Sequence, residues 1–287
     1  MIKVGQSMHP NWVSGDLKRL DEELLQIKDA GADSCELVLP GLDVVIGGRI
    51  IYSRQDALLE VLRRHELEYT MHMPHGLNLL DADMLELHME VFKAGIEFAR
   101  AAGIKLLNYH AGKIKSENKA LINKEIDLVK ALAADAPDVL FCMENPPFNN
   151  TEELSAALSA EEMIAFYEQV GLENFKLTID IGHSALNHYG DMGAMFDDLN
   201  RLLPYAGHIH LHDNCGIRKD LKGPGFSNDL ACGVGDIHLP LGWGRIPVED
   251  VLAGLRGYNG IINLEIERRF SYKYSESFSL IREKLSL

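Results

Sequence analysis

Residues 207–246 read GHIHLHDNCGIRKDLKGPGFSNDLACGVGDIHLPLGWGRI. His208, His210 and His212 alternate through a short apolar run. Alternate residues of a strand share a face, so this spacing predicts three imidazoles pointing the same way. A glycine-rich stretch follows, then Asp236 and His238, again two apart. Imidazole nitrogens and carboxylate oxygens are the ligands that zinc, manganese and similar ions take. One buried histidine alone reads better as a core residue hydrogen-bonded to backbone. His210, Asp236 and His238 together read as metal ligands, because comparable residues recur at the ends of other expected strands.

Working outward, short apolar runs predict strands over residues 2–6, 34–39, 68–72, 104–110, 139–144, 175–180, 207–211 and 261–265. Between them, apolar residues at helical spacing predict helices over 16–30, 54–65, 81–102, 119–134, 160–170, 193–203 and 247–255, with a closing helix over 276–284. The segment 41–52, with Gly47-Gly48 inside it, reads as a loop. Strands alternating with helices imply a parallel sheet. Eight such units without a low-complexity linker imply one (β/α)8 TIM barrel over residues 1–287, a fold that typically uses ~250 residues. A doubly wound open sheet would carry a glycine-rich turn after its first strand, and Gly5-Gln6-Ser7-Met8 is not one.

Composition narrows the function. The formal charge is −15, whereas duplex nucleic acid is bound through lysine and arginine on its phosphates. A dedicated DNA binder is therefore disfavoured. The start, MIKVGQSMHP, has no long apolar run, and the four cysteines form no CxxC pair. The expectation is a reduced, cytoplasmic protein with no membrane span.

The strand ends are the informative positions. His72, His110, Glu144 and Asp180 each close a run, His183 follows three residues after Asp180, and Glu265 closes the last strand. Asp180 alone would read as a helix cap. Glu144 and Glu265 resist that reading: an unpaired carboxylate facing a barrel interior is costly, and a divalent cation offsets the cost. In a barrel the strand ends converge on one mouth, giving nine candidate ligands: His72, His110, Glu144, Asp180, His183, His210, Asp236, His238 and Glu265. Zinc takes about four, so more than one ion is implied, and the histidine-rich mixture favours zinc or manganese.

These residues resemble the xylose-isomerase-like barrels, a superfamily of sugar (phosphate) isomerases and epimerases that also includes the endonuclease IV-type apurinic-site endonucleases. His72-Met-Pro-His-Gly-Leu-Asn-Leu79 is similar to its HxPxxxNL stretch, and Asn108-Tyr-His110-Ala-Gly112 to N[FY]HxG. Glu144-Asn145 resembles its EN and Asp180-Ile-Gly-His183 its DxxH. His210-Leu-His-Asp213 resembles HLxD, the run from Asp236 to Gly244 the DxH…LGxG loop, and Leu264-Glu265 the final LE. The resemblance implies one ion held by Glu144, Asp180, His210 and Glu265. The endonuclease branch adds His72, His110, His183, Asp236 and His238 to make three zinc ions. Glu267 shares the strand parity of Glu265 and competes for its place. The resemblance gives His208 and His212 no role, and both read as supporting residues.

Two chemistries follow from it. In the first, a single core ion polarises a sugar carbonyl while Glu144 and Glu265 move a proton on opposite faces of an enediolate. His183 would then hold a hydroxyl, with Arg218, Lys219 or Arg268 available for a phosphate. In the second, clustered ions hydrolyse a phosphoester. A barrel that only binds sugar or metal ranks last, since a binder has no need of two converging glutamates. The leading expectation is a metal-dependent sugar (phosphate) isomerase or epimerase using one to three ions. Its partners are a small carbohydrate substrate and at most further copies of the chain in a homo-oligomer, with neither nucleic acid nor membrane.

Overall fold

The computed structural model describes residues 2–114, 120–147, 154–218 and 229–287. Eight strands form the central sheet: Lys3–Ser7 (β1), Ser34–Val38 (β2), Glu68–His72 (β3), Leu106–His110 (β4), Leu140–Glu144 (β5), Phe175–Asp180 (β6), Ala206–Leu211 (β7) and Ile261–Leu264 (β8). They close in the order β1-β8-β7-β6-β5-β4-β3-β2, each parallel to its neighbours. Between and after them run Leu17–Asp29 (α1), Tyr52–Leu62 (α2), Leu85–Ala101 (α3), Ala120–Asp135 (α4), Ala160–Val170 (α5), Met192–Leu202 (α6), Val248–Gly254 (α7) and Tyr274–Leu285 (α8). This is the TIM barrel expected from the alternation. None of the described helices is long and apolar enough to cross a membrane.

The local chemistry explains the boundaries. Asp16 caps α1 by accepting from the backbone N–H groups of Lys18 and Arg19. Ser159 and Glu162 form a reciprocal capping box at the start of α5, which ends at Gly171 with φ 61°. The expected helix over 81–102 starts late, at Leu85, because Asp81 Oδ1 takes the N–H groups of Asp83 and Met84 into a turn. The segment read as loop over 41–52 contains a hairpin, Val45–Ile46 against Arg49–Ile50. Gly47 and Gly48, both at positive φ, supply its two-residue turn.

Strand parity divides the barrel into two environments. Phe141, Met143, Leu177, Ile179, Ile209, Leu211, Ile262 and Leu264 are buried in the hydrophobic core shared with the helices. The alternate positions enclose a polar interior: Glu36, Asn108, Glu144, Thr178, Asp180, His208, His210 and Asn263 are all buried. Thr178 Oγ1 donates to Asn108 Oδ1 at 2.6 Å, from β6 past β5 to β4. The apolar neighbours of Glu144 therefore face the helices, and Glu144 itself faces the interior. A cavity of about 540 Å3 opens at the end of the barrel where the strands begin, lined by Glu68, Thr70, Lys105 and Ile261 among others. None of the nine candidate ligands lines it.

Candidate metal centre

The strand ends bring the expected residues to one mouth. The core is Glu144 on β5, Asp180 on β6, His210 on β7 and Glu265 just beyond β8, which form one group of converging ligand atoms. His210 Nδ1 lies 3.4 Å from Glu144 Oε2, 3.5 Å from Glu265 Oε1 and 3.9 Å from Asp180 Oδ2. Ligand bonds of ~2.1 Å place the corners of a tetrahedron about 3.4 Å apart, so this spacing fits a bound cation. The pairing pattern fits as well. Glu144 Oε1, Asp180 Oδ2 and His210 Nδ1 are buried without a hydrogen-bond partner among the described residues, and such atoms normally find one.

Asp180 is the helix cap that its position allows, and it keeps an oxygen free for the cluster. Its Oδ1 caps the short helix Ile181–Asn187 by accepting from His183 N at 2.6 Å, leaving Oδ2 for the cluster. Asn145 fixes this arrangement, donating to the Asp180 carbonyl and to Ser184 Oγ while accepting from Asp180 N.

Two outer groups flank the core. His183 Nε2 and His238 Nε2 lie 3.2 and 3.0 Å from Asp236 Oδ2. His72 Nε2 and His110 Nε2 lie 3.2 and 3.4 Å from the two oxygens of Glu144. Backbone carbonyls orient three of these rings: His72 Nδ1 faces Met73 O, His183 Nδ1 faces Asn145 O and His238 Nδ1 faces Glu265 O, at 2.5, 2.9 and 2.7 Å. A carbonyl only accepts, so each Nδ1 carries a proton, and Nε2 is the atom left to turn towards a cation once any proton on it is displaced. His238 reaches its place with φ 45°, a left-handed conformation that any residue with a Cβ adopts at a cost.

Burial would raise Glu144, but His210 and His110 outweigh it and hold the carboxyl well below the usual range. Burial likewise opposes Asp236, which His238 and His183 hold well below its ordinary value. His238 rises to about 10 against the effect of burial, chiefly through Asp236. His110 is lowered, with burial as the main cause. The mouth is thus an array of anionic acids and imidazoles suited to exchanging protons for cations.

Sequence reasoning missed two residues, Glu36 and His75. Glu36 on β2 lies beneath the core against His208 and His210. The signal was an acid sharing parity with Ser34 inside an apolar strand. His75 places its ring 4.5 Å from that of His72 and lines the cavity of about 250 Å3 over the cluster. His212 groups with His183, Asp236 and His238 by distance. Its ring, however, stacks on His238 at 3.9 Å with only 9° between the planes. Two parallel rings cannot both aim an in-plane lone pair at one ion, so His212 supports His238 instead. Gly182 makes room for it, since a Cβ there would sit 2.1 Å from the His212 ring.

Glu265, not Glu267, reaches the core; Glu267 points to Arg269 at 3.9 Å. Of the cations expected for a phosphate, Arg268 lies over the Trp12 ring and Arg218 over the Tyr189 ring. Lys219 lies outside the described residues. The lysine lining the cluster cavity is Lys113.

Comparison with known proteins gives the same architecture. A solved D-tagatose 3-epimerase-like protein superposes with a TM-score of 0.75 at 22% identity, over 99% of this chain and 98% of that one. An L-ribulose 3-epimerase gives 0.70 at 18% identity, over 100% and 95%. A xylose isomerase-like TIM barrel protein from Mycobacterium smegmatis, in complex with magnesium, gives 0.71 at 16% identity, over 99% and 96%. The profile of one family matches residues 24–284. The chain belongs to the xylose isomerase-like TIM barrel family.

Proposed function

We propose that this protein is a divalent-metal-dependent isomerase or epimerase of a small sugar or sugar phosphate. The carrying observation is the convergence of Glu144, Asp180 and Glu265 oxygens on His210 Nδ1, with unpaired atoms on three of the four residues. These four would hold the ion, zinc or manganese by donor type. When bound, the ion supplies Lewis-acid polarisation of a carbonyl and its neighbouring oxygen. The epimerase names of the structural relatives agree with this reading.

Glu144 and Glu265 come from β5 and β8, with β6 and β7 between them, and so approach a substrate from two sides. One begins ionised and takes the proton from the carbon beside the carbonyl. The C–H electron pair moves into a carbon–carbon double bond and the carbonyl pair onto oxygen, giving an enediolate. The other begins protonated and returns a proton to the opposite face. His183, whose ring is held by Asn145 O, would hold a substrate hydroxyl.

A second reading is favoured by one observation: the outer groups surround Glu144 and Asp236 with imidazole nitrogens. Filled, they would support phosphoester hydrolysis by clustered ions. The double variant Asp236→Ala/His238→Ala separates the two. Proton transfer needs only the core and should persist at a reduced rate, whereas phosphodiester cleavage should vanish. Loss of all sugar turnover, with phosphodiester cleavage by the wild type, favours the second reading.

A further inference from the structure

Beneath the core, Glu36 is wholly buried, and four donors face its carboxylate. His210 Nε2 lies 3.2 Å from Oε1 and His208 Nε2 3.1 Å from Oε2. Ser7 Oγ donates to Oε1 at 3.2 Å and Thr70 Oγ1 to Oε2 at 3.4 Å. The Ser7 hydroxyl is itself held by Asn263 Nδ2 at 2.7 Å. Strands β1, β2, β3, β7 and β8 thus fix one anion at the barrel axis. Glu36, His208 and His210 also have the residue types and spacing of a metal group. The hydroxyls and imidazoles already engage both oxygens, which argues against an ion there.

We infer that Glu36 is a positioning residue: it accepts a hydrogen bond from Nε2–H of His210 and thereby commits His210 Nδ1 to the core ion. His210 is the one core ligand with two alternative tautomers, and only the form protonated on Nε2 presents a lone pair to Glu144, Asp180 and Glu265. The carboxylate also raises the basicity of the ring it accepts from. His208 shares the same oxygens and keeps the carboxylate from turning away. This inference rests on the proposed core ion.

The test uses the full chain with zinc alone as probe. In zinc-loaded protein carrying 15N-labelled histidine, long-range proton–nitrogen correlation should find His210 protonated on Nε2 and bare on Nδ1. Glu36→Gln offers one acceptor and one donor in place of two acceptors, and should weaken zinc about 10- to 100-fold in competition with a chelator. A proton on Nδ1 of zinc-loaded wild type, or equal zinc affinity in Glu36→Gln, overturns the inference while leaving the core ion in place. Wild type that binds no zinc overturns the core ion and this inference together. If Glu36→Gln does not fold, the wild-type spectrum decides alone.

Discussion

Oε1 of Glu265 lies 3.5 Å from Nδ1 of His210, so the residue just beyond the last strand meets the ring carried by the neighbouring seventh strand. Glu267, two residues on, has a side chain 46% exposed and pairs only with Arg269 among the ion pairs of the described residues. Glu265→Gln should therefore weaken zinc at least tenfold and abolish turnover, while Glu267→Gln should leave both within about twofold of wild type, as surface changes usually do. Chelator competition on the two variants checks this, and the reverse pattern would transfer the role to Glu267.

Filling the core should stabilise the fold. A ligand at 100 times its Kd adds about 2.7 kcal/mol, or roughly 5–10 °C in melting temperature for a domain of this size. The wild type should show that rise with zinc in a thermal melt. Glu144→Gln should show a much smaller one, because an amide oxygen is a weaker, neutral ligand.

The barrel was legible in the sequence because its strands and helices repeat with short connections; residues 68–72, 160–170 and 175–180 were located to the residue. Eight of the nine candidate ligands stand at or just beyond strand ends or in the loop after β7, and His183 lies on the short helix that Asp180 caps, so closure brings them together. Glu36 and His75 were harder to see. Glu36 lies in mid-strand, and its role depends on meeting β7 across the barrel, a contact 172 residues away in sequence. That Asn108, Thr178 and Asn263 share the interior with the acids was hidden for a related reason: strand parity has no sign until the helices show which face they cover.

Asp213 carries the loop that delivers Asp236 and His238. Its carboxylate accepts from the backbone N–H groups of Asn214, Gly242, Gly244 and Ile246 at 2.9, 2.9, 2.8 and 3.1 Å. Asp213→Ala leaves these donors without their acceptor and should cost on the order of 3 kcal/mol in chemical denaturation. A loss below about 0.5 kcal/mol would mean that the loop holds itself.

Glu125 on α4 is fully buried beneath the loop after β4, where it accepts from Gly112 N at 2.8 Å. Burial pushes its carboxyl up to about 8. The unfolded chain ionises near 4.3 while the folded chain keeps its proton, so the native state binds more protons between these values and its stability falls as pH rises from about 4.5 to 8. Glu125→Gln keeps an acceptor for Gly112 and removes the titration. The variant should equal wild type near pH 4.5 and exceed it by a few kcal/mol at pH 8. A difference independent of pH, measured by urea unfolding, would contradict the assignment.

Solvent exchange tests the proposed chemistry most directly. Wild-type protein loaded with zinc or manganese is incubated in D2O with a panel of ketoses and their phosphates, and deuterium is read at each carbon. Proton transfer by Glu144 and Glu265 predicts deuterium at one carbon adjacent to a carbonyl, with exchange lost on chelation and in Glu265→Gln. No exchange in any sugar, together with metal-dependent cleavage of abasic-site DNA or a small phosphodiester, would contradict it.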